Sequence, residues 1–226
     1  MGNISEKIGH HLDYFTNAIN IGGITIPHSV YVSWGIIVVL VLLSIWFTRH
    51  MELVPTKKRQ VVIEGFIGML YNMLYGILGE HGKRYIPYLL TVLIYLGVAN
   101  MVGLFGVAPP TKNLNVTLGL AIMSIILVQY ASIRHRGVGG WLKSFTQPVA
   151  IVTPLNVLEL VIKPLSLCMR LFGNILGAFI IMELIKMVIP AVFPLAASMY
   201  FDIFDAFLQA YVFVFLTSLY IQEAIE

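Results

Sequence analysis

Apolar runs long enough to cross a bilayer alternate along the chain with short polar or basic clusters. A spanning helix needs about 20 mostly apolar residues, and Val30–Phe47, "VYVSWGIIVVLVLLSIWF", supplies the first. Arg49, His50, Lys57, Lys58 and Arg59 follow it, whereas Lys7 is the one Lys or Arg ahead of it. Positive charge collects on the cytoplasmic side of spanning helices, which predicts that the N-terminus faces out. Tyr85–Val107 reads as a second span, running outward, and the paired prolines of "APPTKN" end it. Val116–Ile133 returns and meets Arg134, His135, Arg136 and Lys143.

Val61–Glu80 breaks the pattern. Glu64, Gly68, Asn72, Gly76 and Glu80 recur at every fourth position, a polar and small stripe on one side of a helix. If the segment crossed, Lys83 and Arg84 would lie outside, against the charge rule. It is expected instead as an amphipathic helix on, or half within, the cytoplasmic surface.

The last third differs again. From Pro154 to about Ile189 runs one helical stretch, about 54 Å long at about 1.5 Å per residue, against a hydrocarbon layer of about 30 Å. After the break "PAVFP" a second helix runs from about Leu195 to the end, also too long for one upright pass. Residues 153–226 are therefore expected as a long, tilted helical hairpin. The predicted fold class is an all-α integral membrane protein with about five membrane-crossing helices and one interfacial amphipathic helix. Residues 1–29 form an outer extramembrane segment, and 30–226 one membrane domain. No internal repeat is visible, which argues against an inverted-repeat transporter.

Composition secures the membrane class: 58% of the 226 residues are hydrophobic and 11% charged. The net charge of +3 sits in clusters beside apolar runs, so it marks topology and not a nucleic-acid surface. Cys168 is the single cysteine, which excludes an intrachain disulfide and any Cys/His metal set; a small core residue is the expected role. The first twenty residues carry Glu6 and Asp13 with no long apolar core, so neither a signal peptide nor a transit peptide is expected. No HExxH, no Ser/His set and no paired aspartates on a spanning core appear, which leaves no basis for a membrane hydrolase or a cofactor.

One residue carries the candidate chemistry. Arg170, in "LCMRLFGN", is the sole charged side chain from Pro164 to Met182, and no acid lies three or four positions away. Arginine in a membrane costs about 2.5–3.5 kcal/mol even on lenient insertion scales, and such residues mark ion pathways. At about 100° per residue, Glu159, Lys163, Ser166, Asn174 and Gly177 fall within about 40° of Arg170, so all share one face. Near Glu159 and Lys163 that face serves equally well as a solvated stripe. The last helix carries its own stripe of Asp202, Asp205, Gln209, Tyr220 and Glu223. Folding the hairpin about Pro190 sets Arg170 opposite Gln209, Asn174 opposite Asp205 and Gly177 opposite Asp202. Two readings of Arg170 follow. It closes an ion pair with Asp205 that only holds the hairpin together, or the small residues Ser166, Gly173, Asn174 and Gly177 let a partner chain bring a carboxylate to it.

The residues then match a known pattern. "KPLSLCMRLFGNILG", with "LQAYVFVFLTSLY" downstream and "NLNVTLGLA" before the third span, resembles the a subunits of F-type ATP synthases, the stator half of the membrane proton channel. The "RLFGN" form is similar to bacterial or plastid members. The resemblance implies a bacterial plasma membrane, or alternatively a thylakoid membrane, with the C-terminus in the cytoplasm. It implies a c-subunit ring and the peripheral-stalk b subunits as partners, H⁺ (or Na⁺) as the translocated ion, and no catalysis of covalent chemistry. Arg170 would face the ring carboxylates and separate two offset half-channels. Gln209 and Asn174 would orient the guanidinium or line water. Glu183, Asp202 and Asp205 would line the inlet from outside, and Glu159, Lys163 and Ser166 the outlet. Relatives carry an acid or histidine nine residues after the arginine, where this chain has Phe179; Glu183 and Asp202 are the expected substitutes, although Lys186 could hold Glu183 in a local pair. Asn100 and Asn115, near the outer helix ends, are expected to make buried hydrogen bonds or caps. An autonomous channel or secondary transporter is the competing reading.

Overall fold

A computed structural model describes residues 18–21, 24–49, 51, 58–105, 107, 109–144, 153–188 and 201–225. Six α-helices follow a short β-hairpin among these residues: α1 (His28–Thr48), α2 (Lys58–Gly82), α3 (Ile86–Met101), α4 (Leu114–Ser144), α5 (Thr153–Val188) and α6 (Ala206–Ile225). β1 (Ala18–Ile21) and β2 (Ile24–Pro27) pair antiparallel, with Ile21 opposite Ile24. The sequence reading of the outer segment omitted this hairpin. Its signal was there, since "AINI" and "ITIP" flank the dipeptide Gly22-Gly23, a two-residue hairpin connection.

Four helical stretches among the described residues are long and apolar enough to cross a membrane: His28–Thr48, Lys58–Met101, Leu114–Ser144 and Ile203–Ile225. α1 matches the first predicted span and is apolar all round. Trp34 and Trp46, near its two ends, are 59% and 61% exposed, the placement of interfacial aromatic belts. Two positive-φ glycines punctuate the middle of the chain. Gly79 (φ 61°) kinks the chain before α3, and Gly137 (φ 71°) kinks α4 after Arg136. A side chain at either position would be strained, so the bends are fixed where glycine stands.

On α2 the stripe Glu64, Asn72, Gly76 and Glu80 is exposed, with Gly68 half-exposed. Val62, Phe66 and Met69 form an exposed apolar face beside it, while Leu74 and Leu78 are buried. Gln60 reaches Glu64 at 2.6 Å, and the Tyr75 hydroxyl donates to the Glu80 carboxylate.

α6 lies at the centre. It packs against α3, α4 and α2, with Phe213, Val214, Thr217, Ser218 and Ile221 all buried. α5 packs on α4, and Leu167, Cys168, Leu171 and Ile175 are its buried residues. Cys168 is 2% exposed with its Sγ 3.5 Å from the Thr117 hydroxyl, so it is the core residue expected. One end of the helix bundle is tied by polar contacts around the turn Pro110–Lys112. Thr111 donates to Asn100 at 2.7 Å, and Asn113 Nδ2 donates to Ser29 at 2.9 Å. Asn100 is buried and hydrogen-bonded as predicted. The cap of α4 is Asn113, whose side-chain oxygen accepts the Asn115 amide at 3.0 Å; the Asn115 side chain itself is exposed.

Candidate functional site

α5 is one continuous helix of 36 residues, close to the predicted 154–189, with Arg170 near its middle. The second arm differs from the uninterrupted helix expected from Leu195. Residues 189–200, including the "PAVFP" break, lie outside those described, and Phe201–Asp205 is π-helical before α6 begins. A π-helical turn takes up extra residues, and such turns recur at functional sites inside helices. Here the turn carries both Asp202 and Asp205.

Two side-chain links join α5 to α6 and fix an antiparallel register. Asn174 Nδ2 donates to Gln209 Oε1 at 2.6 Å, and Lys163 Nζ lies 2.8 Å from Glu223 Oε2. Asn174 therefore faces Gln209, one turn from the expected partner Asp205, and Arg170 is not set opposite Gln209. The sequence register took an unbroken α-helix back from the tip, and the π-helical turn removes that premise. Between these links α5 and α6 touch little; α4 joins them.

The first reading of Arg170, the closed pair with Asp205, finds no support. Arg170 is exposed, and none of the hydrogen bonds or ion pairs among the described residues involves it. Asp205 is half-buried and is engaged in an interaction of its own. Around Arg170 the surface is apolar. Leu165, Met169, Leu176 and Ile180 on α5, and Phe207 and Tyr211 on α6, are all exposed. Ser166, Gly173 and Asn174 are exposed too, and beyond the helix's own backbone no atom of the described residues lies within 4 Å of where a Cβ would stand at Gly173 or Gly177. This face has room for the close approach of another helix. Gln209 is 1% exposed, and its Nε2 is buried without a hydrogen-bond partner.

At the other end of α5 lies a polar cavity of about 300 Å³ between α4, α5 and α6. Glu159, Lys163, Tyr220 and Glu223 line it, with Gln129 and Arg136 from α4. Lys163 is shared by Glu223 at 2.8 Å and Glu159 at 3.4 Å, and its ammonium stands 5.1 Å from the centre of the Tyr220 ring. An ion pair this open to water adds at most about 1 kcal/mol; its visible effect is to hold the end of α6 at the rim. The structure sets Glu159 and Lys163, which share a helix face, around one cavity with Glu223 of the last helix's stripe and with Gln129 and Arg136, which the sequence pattern did not single out as site residues. Three helices build that cavity, and the periodicity of one helix carries no trace of the other two. Ser166 does not line it. The Glu183, Phe179 and Asp202 side chains, and with them the Glu183–Lys186 alternative, lie outside the described residues.

The chain matches the family described as ATP synthase A chain over residues 30–222. It is similar to ATP synthase subunit a of Moorella thermoacetica, 36% identical over 209 residues that cover 92% of this chain and 94% of that one. It is also similar to the sodium-ion-specific ATP synthase subunit a of Propionigenium modestum, at 31% identity over 226 residues covering 92% and 77%. Subunit a of Geobacter sp. strain M21 is 34% identical over 203 residues, covering 88% and 87%.

Proposed function

The chain belongs to the ATP synthase A chain family, and from that premise we propose that α5 and α6 form the stator wall past which a ring of c subunits turns. Its role in ion translocation, as a non-catalytic membrane subunit, goes with the family. The observation that carries the finer reading is Arg170: an exposed cation in an apolar face, with no partner among the described residues. Lipid is a poor covering for that face, because it would leave the guanidinium in hydrocarbon. Apolar helices that each bring one carboxylate to mid-membrane complement it.

Arginine suits the task physically. Its guanidinium stays protonated in any protein environment and passes no proton itself. Its charge favours the ionised form of a carboxylate that comes near, so the proton leaves; away from it, in apolar surroundings, the carboxylate takes a proton up. Two half-channels that reach the ring on either side of Arg170 then convert ion flow into rotation, and the fixed cation blocks a direct leak. Asn174 and Gln209 hold polar ground beside it. The cavity at Glu159 and Lys163 serves as the outlet, and Glu183, Asp202 and Asp205 as the inlet. Ser166 faces the ring between the two. The translocated ion is H⁺, with Na⁺ as the alternative that one relative's name supports. The b subunits of the peripheral stalk complete the stator.

The setting is the bacterial plasma membrane, N-terminus out and C-terminus in, with a thylakoid membrane as the alternative. α2 lies on the cytoplasmic surface, its exposed polar stripe to water and Val62, Phe66 and Met69 to lipid.

Two experiments test this reading. A cysteine at Met169, which is exposed, should cross-link to ring subunits in the assembled complex, while one at Ala206, 4% exposed, should not; the reverse pattern would remove the ring from this face. Glu183→Gln and Asp202→Asn should each slow passive proton conduction through the membrane sector. If neither does, the inlet lies elsewhere.

A further inference from the structure

A second charged site lies where α2 and α3 meet the kinked end of α4. The His81 and His135 rings are in edge contact, 5.8 Å between centroids and 68° between planes. Arg84 follows His81 by three residues and Arg134 directly precedes His135, so both arginines belong to the two segments that this contact joins. His81, Lys83, Arg84, Arg134 and His135 are all exposed, and among the described residues none of them has a carboxylate partner. The nearby acid Glu80 is occupied by the Tyr75 hydroxyl. The glycine kinks at 79, just before one basic segment, and at 137, just after the other, bend both helices at this corner.

An apolar track leads away from the cluster. Leu118, Ile122, Ile126 and Tyr130 recur at every fourth position of α4, are 39%, 47%, 63% and 50% exposed, and run into Arg134 at the next step. Four-residue spacing forms a continuous ridge on a helix. From Leu118 to Tyr130 it is about 18 Å long at about 1.5 Å per residue, comparable to an extended acyl chain in one leaflet of a core about 30 Å thick.

We propose that this corner is a binding site for one anionic phospholipid, its headgroup phosphate held by Arg84, Arg134 and the imidazole N–H groups, its acyl chain laid along the ridge. A guanidinium forks onto phosphate oxygens with two parallel hydrogen bonds, and basic pockets between membrane helices bind such headgroups. An apolar helix of another subunit would cover the ridge but leave three permanent cations uncompensated, so charge complementarity favours the lipid. The site is on α2–α4, away from the Arg170 face, and the proposal stands or falls independently of the translocation reading.

The test extracts the full chain from vesicles of phosphatidylcholine mixed with phosphatidylglycerol and measures the lipid retained by native mass spectrometry. The unsubstituted chain should retain phosphatidylglycerol in preference to phosphatidylcholine. Arg84→Gln with Arg134→Gln should reduce the retained phosphatidylglycerol about thirtyfold, as two lost surface cations imply, while Arg84→Lys with Arg134→Lys should keep most of it. Equal retention of the two lipids by the unsubstituted chain overturns the proposal without any variant. So does undiminished phosphatidylglycerol in the glutamine pair, or a cysteine at Ile126 that cross-links to a polypeptide in the assembled complex.

Discussion

Arg170→Ala is expected to abolish ATP-driven proton pumping by the reconstituted complex while ATP hydrolysis by its soluble side remains measurable. The reason is electrostatic. A carboxylate about 4 Å from a unit cation, at an effective dielectric of about 20, is favoured by about 4 kcal/mol, a factor on the order of a thousand in its proton affinity. On the proposed reading, without the cation a ring carboxylate would keep its proton as it passes, or carry it straight through. Arg170→Lys should rescue little, because a desolvated ammonium can give up its proton whereas a guanidinium does not. The exchange Arg170→Asp with Asp205→Arg separates the two readings of this residue. A merely structural pair would survive it; a cation needed on the exposed face of α5 would not. Proton pumping followed by a pH-sensitive dye in vesicles, beside an ATPase assay of the same sample, reads all three, and retained pumping in Arg170→Ala would end the argument.

Gln209→Leu should be the next most damaging change. The two side chains are similar in size, so the substitution removes polarity from a site that is 1% exposed while filling the same space. It takes away the acceptor for Asn174, 2.6 Å distant, and the amide nitrogen that lies buried beside it. Asn174 is exposed, so what is lost is the net worth of one hydrogen bond, about 0.5–1.5 kcal/mol, which corresponds to a drop in proton conduction of up to about tenfold if the pair shapes the path. Gln209→Glu keeps an acceptor for Asn174 and should retain more conduction than Gln209→Leu. Equal rates in the two variants would reduce the Asn174–Gln209 contact to simple helix packing.

The membrane helices were legible because each is a long apolar run with charged ends, a signal that depends on composition and hardly on neighbours. α1 and α5 came within two residues of their predicted bounds at each end. Arg170 was legible for the same reason: a lone cation in such a run is conspicuous whatever surrounds it. The register between α5 and α6 was not. It depends on the residues taken up by the turn and by the π-helical stretch before Ala206, neither of which leaves a periodic trace. The hairpin's packing was hidden as well. Apolar faces at helical spacing say that a helix is covered, not which neighbour covers it, and here α4 stands between two helices that are nearly adjacent in sequence. The β-hairpin before α1 was within reach, since its Gly-Gly dipeptide between alternating isoleucines is a local signal.

Because α5 packs on α4 and is buried along Leu167, Cys168, Leu171 and Ile175 yet open on its Arg170 side, it resembles a beam bonded along one edge. If a rotor drags on Arg170, as proposed, it loads that beam sideways near its middle, where Leu167, Cys168 and Leu171 are buried. Thrust then passes into α4, and from there into the centrally wedged α6, before anything reaches the chain's ends. On the proposed reading, the rigidity that would hold the cation still against a turning partner resides in the helix behind it.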